Sequence, residues 1–157
     1  NGIKLVNVTS AEEMYNACHE VFDKADLAIL SAAVADYTPS VKADQKIKKA
    51  TAPASIALEP TADILASTIG ARAKRLVTVG FALETNTPLE NGRGKLASKQ
   101  LDLIVVNDAT EPGAGFGVDT NRVTFIERDG RTEPQRLLAK GEVADLILDR
   151  VEGLLAK

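Results

Sequence analysis

The side chains in this sequence best suited to chemistry are lysines and aspartates, and their spacing suits the holding of an anion. Lys95 and Lys99 lie four apart in a helical stretch, so they project from one face. Lys46, Lys48 and Lys49 form a basic run interrupted by Ile47, and in an extended segment Lys46 and Lys48 fall on the same side. Such lysines, acting as point charges, suit a polyphosphate. Asp36 closes the run Ser31, Ala32, Ala33, Val34, Ala35, whose small residues let a ligand approach the backbone; a carboxylate there holds a metal or a sugar hydroxyl, or simply ends a strand. Asp63 opens a helix, where it reads a base or ribose or complements the helix dipole. For the lysines the plainer reading is a solvated surface.

Composition narrows the field. The 157 residues suit one domain, and no apolar run approaches the ~18 residues of a membrane-spanning helix. There are 19 Lys+Arg against 22 Asp+Glu, a net charge of −3, which disfavours a general nucleic-acid binder. A single cysteine, Cys18, leaves no internal disulfide and no Cys-based zinc site. A single histidine, His19, argues against a His-rich metal centre and a Ser-His-Asp triad. This usage points to a reducing, cytoplasmic compartment. Aromatics are 4% with no Trp, so no base-stacking platform is expected.

The elements that must position these residues alternate between strand and helix. Ile3–Val8 reads as a strand, followed by a helix with Ser10 at its N-cap and Glu13 at N3. Met14, Cys18, Val21 and Ala25 make its apolar face, with Cys18 in the core and His19 turned to solvent. Leu27–Val34 has the near-continuous apolar character of a central strand. Residues 38–54, with Pro39 and Pro53, read as an arm leaving the body, and Ser55–Glu59 as a short strand. Thr61 caps a helix containing Ile64, Leu65 and Ile69. Strands follow at Arg75–Leu83, Leu101–Val106, Arg122–Glu127 and Glu133–Leu138, with a helix over 88–99 and a turn at Asp129-Gly130. Val143, Ile147, Val151 and Leu154 line a closing helix.

This alternation predicts a three-layer, Rossmann-like α/β fold, with a mainly parallel sheet and helices on both faces. Ligands in such folds sit beyond the carboxyl ends of the strands, here Ala33–Tyr37, Phe81–Asn86 and Asn107–Thr110. The first strand runs into its helix without a glycine-rich turn. The glycines of the 112–117 loop precede a strand rather than a helix, so that loop reads as a flexible connection and not a phosphate cradle.

Ala32–Tyr37 (AAVADY), Lys46–Lys49 (KIKK), Pro60–Leu65 (PTADIL), Val79–Asn86 (VGFALETN), Lys95–Lys99 (KLASK), Asp102–Asp108 (DLIVVND) and Gly115–Val123 (GFGVDTNRV) occur in this order over nearly the whole chain. Together they resemble phosphopantothenoylcysteine synthetase, the ligase of coenzyme A synthesis, in its bacterial CTP-dependent form, which is often fused behind a flavin-dependent decarboxylase. The resemblance implies a single ligase domain over residues 1–157, amino-terminally incomplete, with a dimerisation arm at about 38–60. It implies that CTP is contacted by Ser31, Ala32, Asp36, Lys46, Ala62, Asp63, Ile64, Leu65, Phe81, Lys95 and Lys99, with Lys46 catalytic and Asp36 nearest the magnesium ion. The implied partners are 4′-phosphopantothenate, cysteine and a second copy of the chain. The reaction expected is attack of the acid on the α-phosphate of CTP, giving an acyl-cytidylate from which the cysteine amine displaces CMP.

Two other classes compete. A Rossmann-type oxidoreductase needs the G-x-G-x-x-G fingerprint, which is absent, as is the P-loop pattern. A non-catalytic nucleotide-binding or dimerisation fragment would leave the lysines without a chemical task.

Overall fold

The segment Val77–Glu84, which opens on the β-branched Val77, Thr78 and Val79, forms the strand around which the other elements are arranged. The computed structural model describes residues 2–43, 45–48, 55–67, 69, 76–108, 113 and 117–156, and the statements that follow concern these. In chain order the elements are α1 (Ala11–His19), β1 (Leu27–Leu30), β2 (Tyr37–Pro39), β3 (Leu58–Pro60), α2 (Ile64–Ser67), β4 (Val77–Glu84), α3 (Pro88–Ser98), β5 (Leu103–Asp108), β6 (Thr120–Asn121), β7 (Val123–Glu127), β8 (Thr132–Pro134), β9 (Leu138–Ala139) and α4 (Lys140–Leu155). The main sheet has the order β1-β4-β5-β7-β8. Its first three strands are parallel, and β7 and β8 add antiparallel.

The period of two along each strand divides the core. Val77, Val79, Leu103, Val105, Val123 and Phe125 face α4, which returns Val143, Ile147 and Val151 at helical spacing. Burying each of those three side chains stabilises the fold by roughly 1.5–3 kcal/mol. Ala82, Ile104, Val106 and Ile126 face the other way, against Leu65 of α2 and Leu96 of α3. The result is the expected three-layer α/β fold.

Two local devices seat α3, which carries Lys95. A Cβ on Gly92 would lie 2.5 Å from Val106 Cγ2, so only glycine lets the helix backbone come this close to β5. The turn after α3 is held by Arg128, which donates to the carbonyls of Leu101 and Gln100 and pairs with Asp102. Asp102 in turn accepts from the backbone N–H (2.8 Å) and hydroxyl (3.0 Å) of the buried Thr78 at the start of β4.

Several expectations need correction. Residues 3–8 form no strand, and Ile3 and Leu5 are exposed. The strand expected over Leu27–Val34 is only Leu27–Leu30; among the described residues it pairs with β4 alone, so it is a half-buried edge. Helix α1 ends at His19, which leaves Val21 outside it and exposed. Cys18 is half-buried rather than in the core. His19 is not free in solvent: its ring stacks on Tyr15, with Nδ1 2.9 Å from the Tyr15 carbonyl. Asp63, not Thr61, caps α2, its carboxylate accepting from Ala66 N–H at 3.0 Å. Glu133–Leu138 divides between β8 and β9, which pair with β7 and β6 respectively.

The expected arm is in part a ribbon. β2 and β3 pair antiparallel and exposed, with Tyr37 opposite Pro60 and Pro39 opposite Leu58. Pro53, Lys49 and Arg75 lie outside the described residues, as does most of the 112–117 loop; within it Gly113 and Gly117 take φ of +79° and +77°.

Candidate functional site

At the base of the ribbon the chain crosses itself, and the crossing builds one wall of a cleft. Thr61 N–H donates to the Asp36 carbonyl at 2.9 Å, and the Thr61 hydroxyl donates to the Ala35 carbonyl at 2.5 Å. These bonds bring the start of α2 beside the residues that follow β1. The floor is Gly80 in β4, with Leu101 and Ile104, and the far wall is α3. The cleft measures about 190 Å³ and lies on the α2/α3 face of the sheet, between the end of β1, the middle of β4 and the start of β5.

Nine of the sequence-derived residues line it: Ala32, Asp36, Ala62, Asp63, Ile64, Leu65, Phe81, Lys95 and Lys99. Two do not. Ser31 faces a second cleft on the opposite side of the sheet, because neighbouring residues of an extended chain point to opposite faces. Lys46 is exposed and lines neither cleft. Phe81 borders both; its ring packs with the cluster under α4.

Each cleft lysine is held by a carboxylate. Lys95 Nζ lies 2.6 Å from Glu84 Oε1, and Lys99 Nζ lies 2.9 Å from Asp63 Oδ2. The Lys95 ammonium, against some opposition from burial and with help from Asn91, holds the Glu84 carboxyl below its ordinary value. Burial works to raise the Asp63 carboxyl, but the Ala66 N–H and Lys99 outweigh it and hold it low. Glu84 was not anticipated from sequence. It alternates with Ala82 and Gly80 onto the α3 face, and Asn91 joins it at 2.9 Å, so the strand end, the helix and Lys95 form one unit.

Asp36 is exposed, and its side chain has no hydrogen bond or ion pair among the described residues. No cluster of three or more His, Cys, Asp or Glu side chains exists among them. Asp36 is thus one carboxylate that could meet a magnesium ion arriving on phosphates.

The sequence matches the family model described as "DNA/pantothenate metabolism flavoprotein C-terminal domain" over residues 1–155. The chain belongs to this DNA/pantothenate metabolism flavoprotein family. It is 41% identical over 151 residues to the Coenzyme A biosynthesis bifunctional protein CoaBC of Bacillus subtilis (strain 168), covering 96% of this chain and 37% of that protein. It is 44% identical over 149 residues to a Cysteine/Cysteine sulfinic acid decarboxylase from an unknown prokaryotic organism, covering 95% of this chain and 42% of that protein. The crystal structure of the C-terminal domain of a CoaBC protein superposes with a TM-score of 0.76 at 34% identity, covering 96% of this chain and 65% of that one. The chain thus spans about two-fifths of the length of these curated relatives. The Rossmann-like fold of the flavoprotein C-terminal domain is shared, and no helix among the described residues is long and apolar enough to cross a membrane.

Proposed function

We propose that the chain is the ligase part of a coenzyme A biosynthesis protein, joining 4′-phosphopantothenate to cysteine at the expense of CTP. One observation carries this reading: Lys95, Lys99 and Asp36 converge with the helix start at 62–65 on a single cleft on the α2/α3 face of the sheet. The motif order and the CoaBC relatives support it. The decarboxylase name belongs to a protein of which this chain matches only 42%, so it does not assign decarboxylation to the matching part.

In the proposed reaction a carboxylate oxygen of the acid attacks the α-phosphorus of CTP, and the bond to the β-phosphate breaks to release pyrophosphate. The cysteine amine then attacks the acyl carbon, CMP leaves, and the amine gives up its proton. The first step brings anions together, so cations placed where charge develops lower its barrier. Lys95 and Lys99 would exchange their carboxylate partners for the phosphates. Lys46, on the segment beyond the ribbon, would contact the nucleotide from outside the cleft. Magnesium, when bound to the nucleotide beside Asp36, would offset phosphate charge. The ribbon β2–β3, exposed on both strands, would pack against a second copy of the chain.

Calorimetry and thermal shift with CTP, ATP and NADH, each with magnesium, test the nucleotide. CTP is expected to raise Tm most, and Lys95→Ala is expected to abolish the shift measured against that variant's own unliganded Tm. No CTP effect, or an equal effect in Lys95→Ala, overturns the reading, and preference for NADH revives the oxidoreductase alternative.

A further inference from the structure

Among the described residues, two that are not glycine take a positive φ: Thr87 at +42° and Gln100 at +52°. A side chain is unfavourable in that left-handed region, so such residues persist only where their surroundings hold them. Both flank α3, the helix that carries Lys95 and Lys99. At the Thr87 end the tie comes from the helix itself, through the Asn91 side chain, which donates to the Asn86 carbonyl and to Glu84. The Gln100 end is built differently. Gln100 N–H donates to the Ala97 carbonyl at 3.1 Å, and Leu101 N–H to the Leu96 carbonyl at 2.9 Å. This is the pairing of a Schellman helix end, whose left-handed position is usually a glycine. Here it is a glutamine, directly after Lys99.

A hold on Gln100 comes from the β7–β8 hairpin. The planar guanidinium of Arg128 donates to the carbonyls of Gln100 and Leu101, with Nε 3.1 Å from the Leu101 oxygen, and its Nη2 lies 3.2 Å from Asp102 Oδ1. The Arg128 backbone N–H adds a bond to the Asp102 carbonyl at 3.0 Å. One side chain thus grips three consecutive residues. Beyond the turn, Leu101 is buried against Gly80 on the cleft floor, where a Cβ on the glycine would fall 2.6 Å from Leu101 Cδ1. Lys99 is therefore separated from a fixed anchor by Gln100 alone, and the Gln100 backbone sets where the lysine stem leaves the helix. Arg128 is exposed and lines neither cleft. Water can meet the two carbonyls in its place, but cannot hold their geometry. A lysine there keeps the charge and lacks the fork.

We propose that Arg128 is a positioning residue for the anion cleft: by clamping the left-handed turn at Gln100 it fixes the place of the Lys99 ammonium. That this ammonium receives a phosphate rests on the ligase reading; its placement does not.

The deciding measurement therefore contains no nucleotide. Burial works to raise the Asp63 carboxyl, and the Ala66 N–H and Lys99 hold it low, so its titration reports where the ammonium stands. Carboxyl ¹³C NMR follows Asp63 and Glu84 through an acid titration of wild type, Arg128→Lys, Arg128→Gln and Lys99→Ala. In both Arg128 variants the Asp63 midpoint is expected to rise toward that of Lys99→Ala. Glu84, held low by Lys95 one turn earlier in the helix, is expected to titrate as in wild type. An Asp63 midpoint that keeps its wild-type value in the Arg128 variants overturns the proposal. So does an equal rise at Asp63 and Glu84, which marks loosening of the whole helix. CTP calorimetry then closes a double-mutant cycle: Arg128→Lys is expected to weaken binding on its own and to add no loss to Lys99→Ala, whereas additive losses overturn the proposal. Absence of CTP binding in wild type refutes the ligase reading and leaves the Asp63 titration to decide the placement.

Discussion

Two glycines in α3 make a paired prediction of opposite sign. Gly92 and Gly94 share the helix, so replacing either with alanine gains the same intrinsic helix propensity, about 1 kcal/mol. Their surroundings differ. A Cβ at Gly94 meets nothing within 4 Å, whereas one at Gly92 falls 2.5 Å from Val106 Cγ2 and 3.3 Å from Ile126 Cδ1. Val106 is β-branched and 3% exposed, so its methyl has no free rotamer to swing into. Relieving the contact needs a displacement of about 1 Å, and overpacking of this kind costs ~1–3 kcal/mol. Gly94→Ala is therefore expected to stabilise by about 1 kcal/mol, and Gly92→Ala to be neutral or to destabilise by up to ~2 kcal/mol. Propensity cancels in the difference between the two variants, which isolates the ~1–3 kcal/mol contact term. Urea unfolding followed by circular dichroism reads this as Cm values on either side of wild type, with m unchanged. Equal Cm gains in both variants would refute the close seating of α3 on β5.

Three further outcomes follow from the same structure. On the proposed reading, Lys99→Ala weakens CTP binding at least tenfold by calorimetry, while its exposed ion pair with Asp63 contributes ~1 kcal/mol or less to the fold. Glu84→Gln alters the pH dependence of stability: the folded-state carboxyl is held below 4.5, so its contribution is complete above that value and fades as pH falls through the lowered one. Wild type and variant should then differ in urea Cm at pH 7 and converge in acid. Asp102→Ala leaves the buried Thr78 hydroxyl and N–H without their acceptor and is expected to cost ~1–3 kcal/mol in chemical denaturation, with Asp102→Asn milder.

Asp36 and Asp63 drew attention because one follows a strand and the other starts a helix, and Lys95 and Lys99 because they lie four apart on one helix. Ala62, Ile64, Leu65 and Phe81 came only with the family resemblance, and they line the same cleft as Ala32, Asp36, Lys95 and Lys99. Ser31 lines the other cleft, since one step along an extended chain exchanges the faces of the sheet. Glu84 was missed because its meaning depends on Lys95, eleven residues away across a helix. The Ile3–Val8 expectation failed because strand propensity is local, while a strand forms only where its chain pairs with another.

The ion pairs at Lys95 and Lys99 change what arrival of an anion means for this cleft. Each ammonium already carries its own counter-charge, so an approaching phosphate meets a nearly neutral mouth with little long-range pull. On the proposed reading, capture is a swap of partners at short distance, with Glu84 and Asp63 repelled as the newcomer docks. A singly charged ion has little to offer in such a trade, whereas a chain of phosphates can occupy both lysines in one event. Selectivity for polyanions would thus be written into the resting state, at the expense of speed.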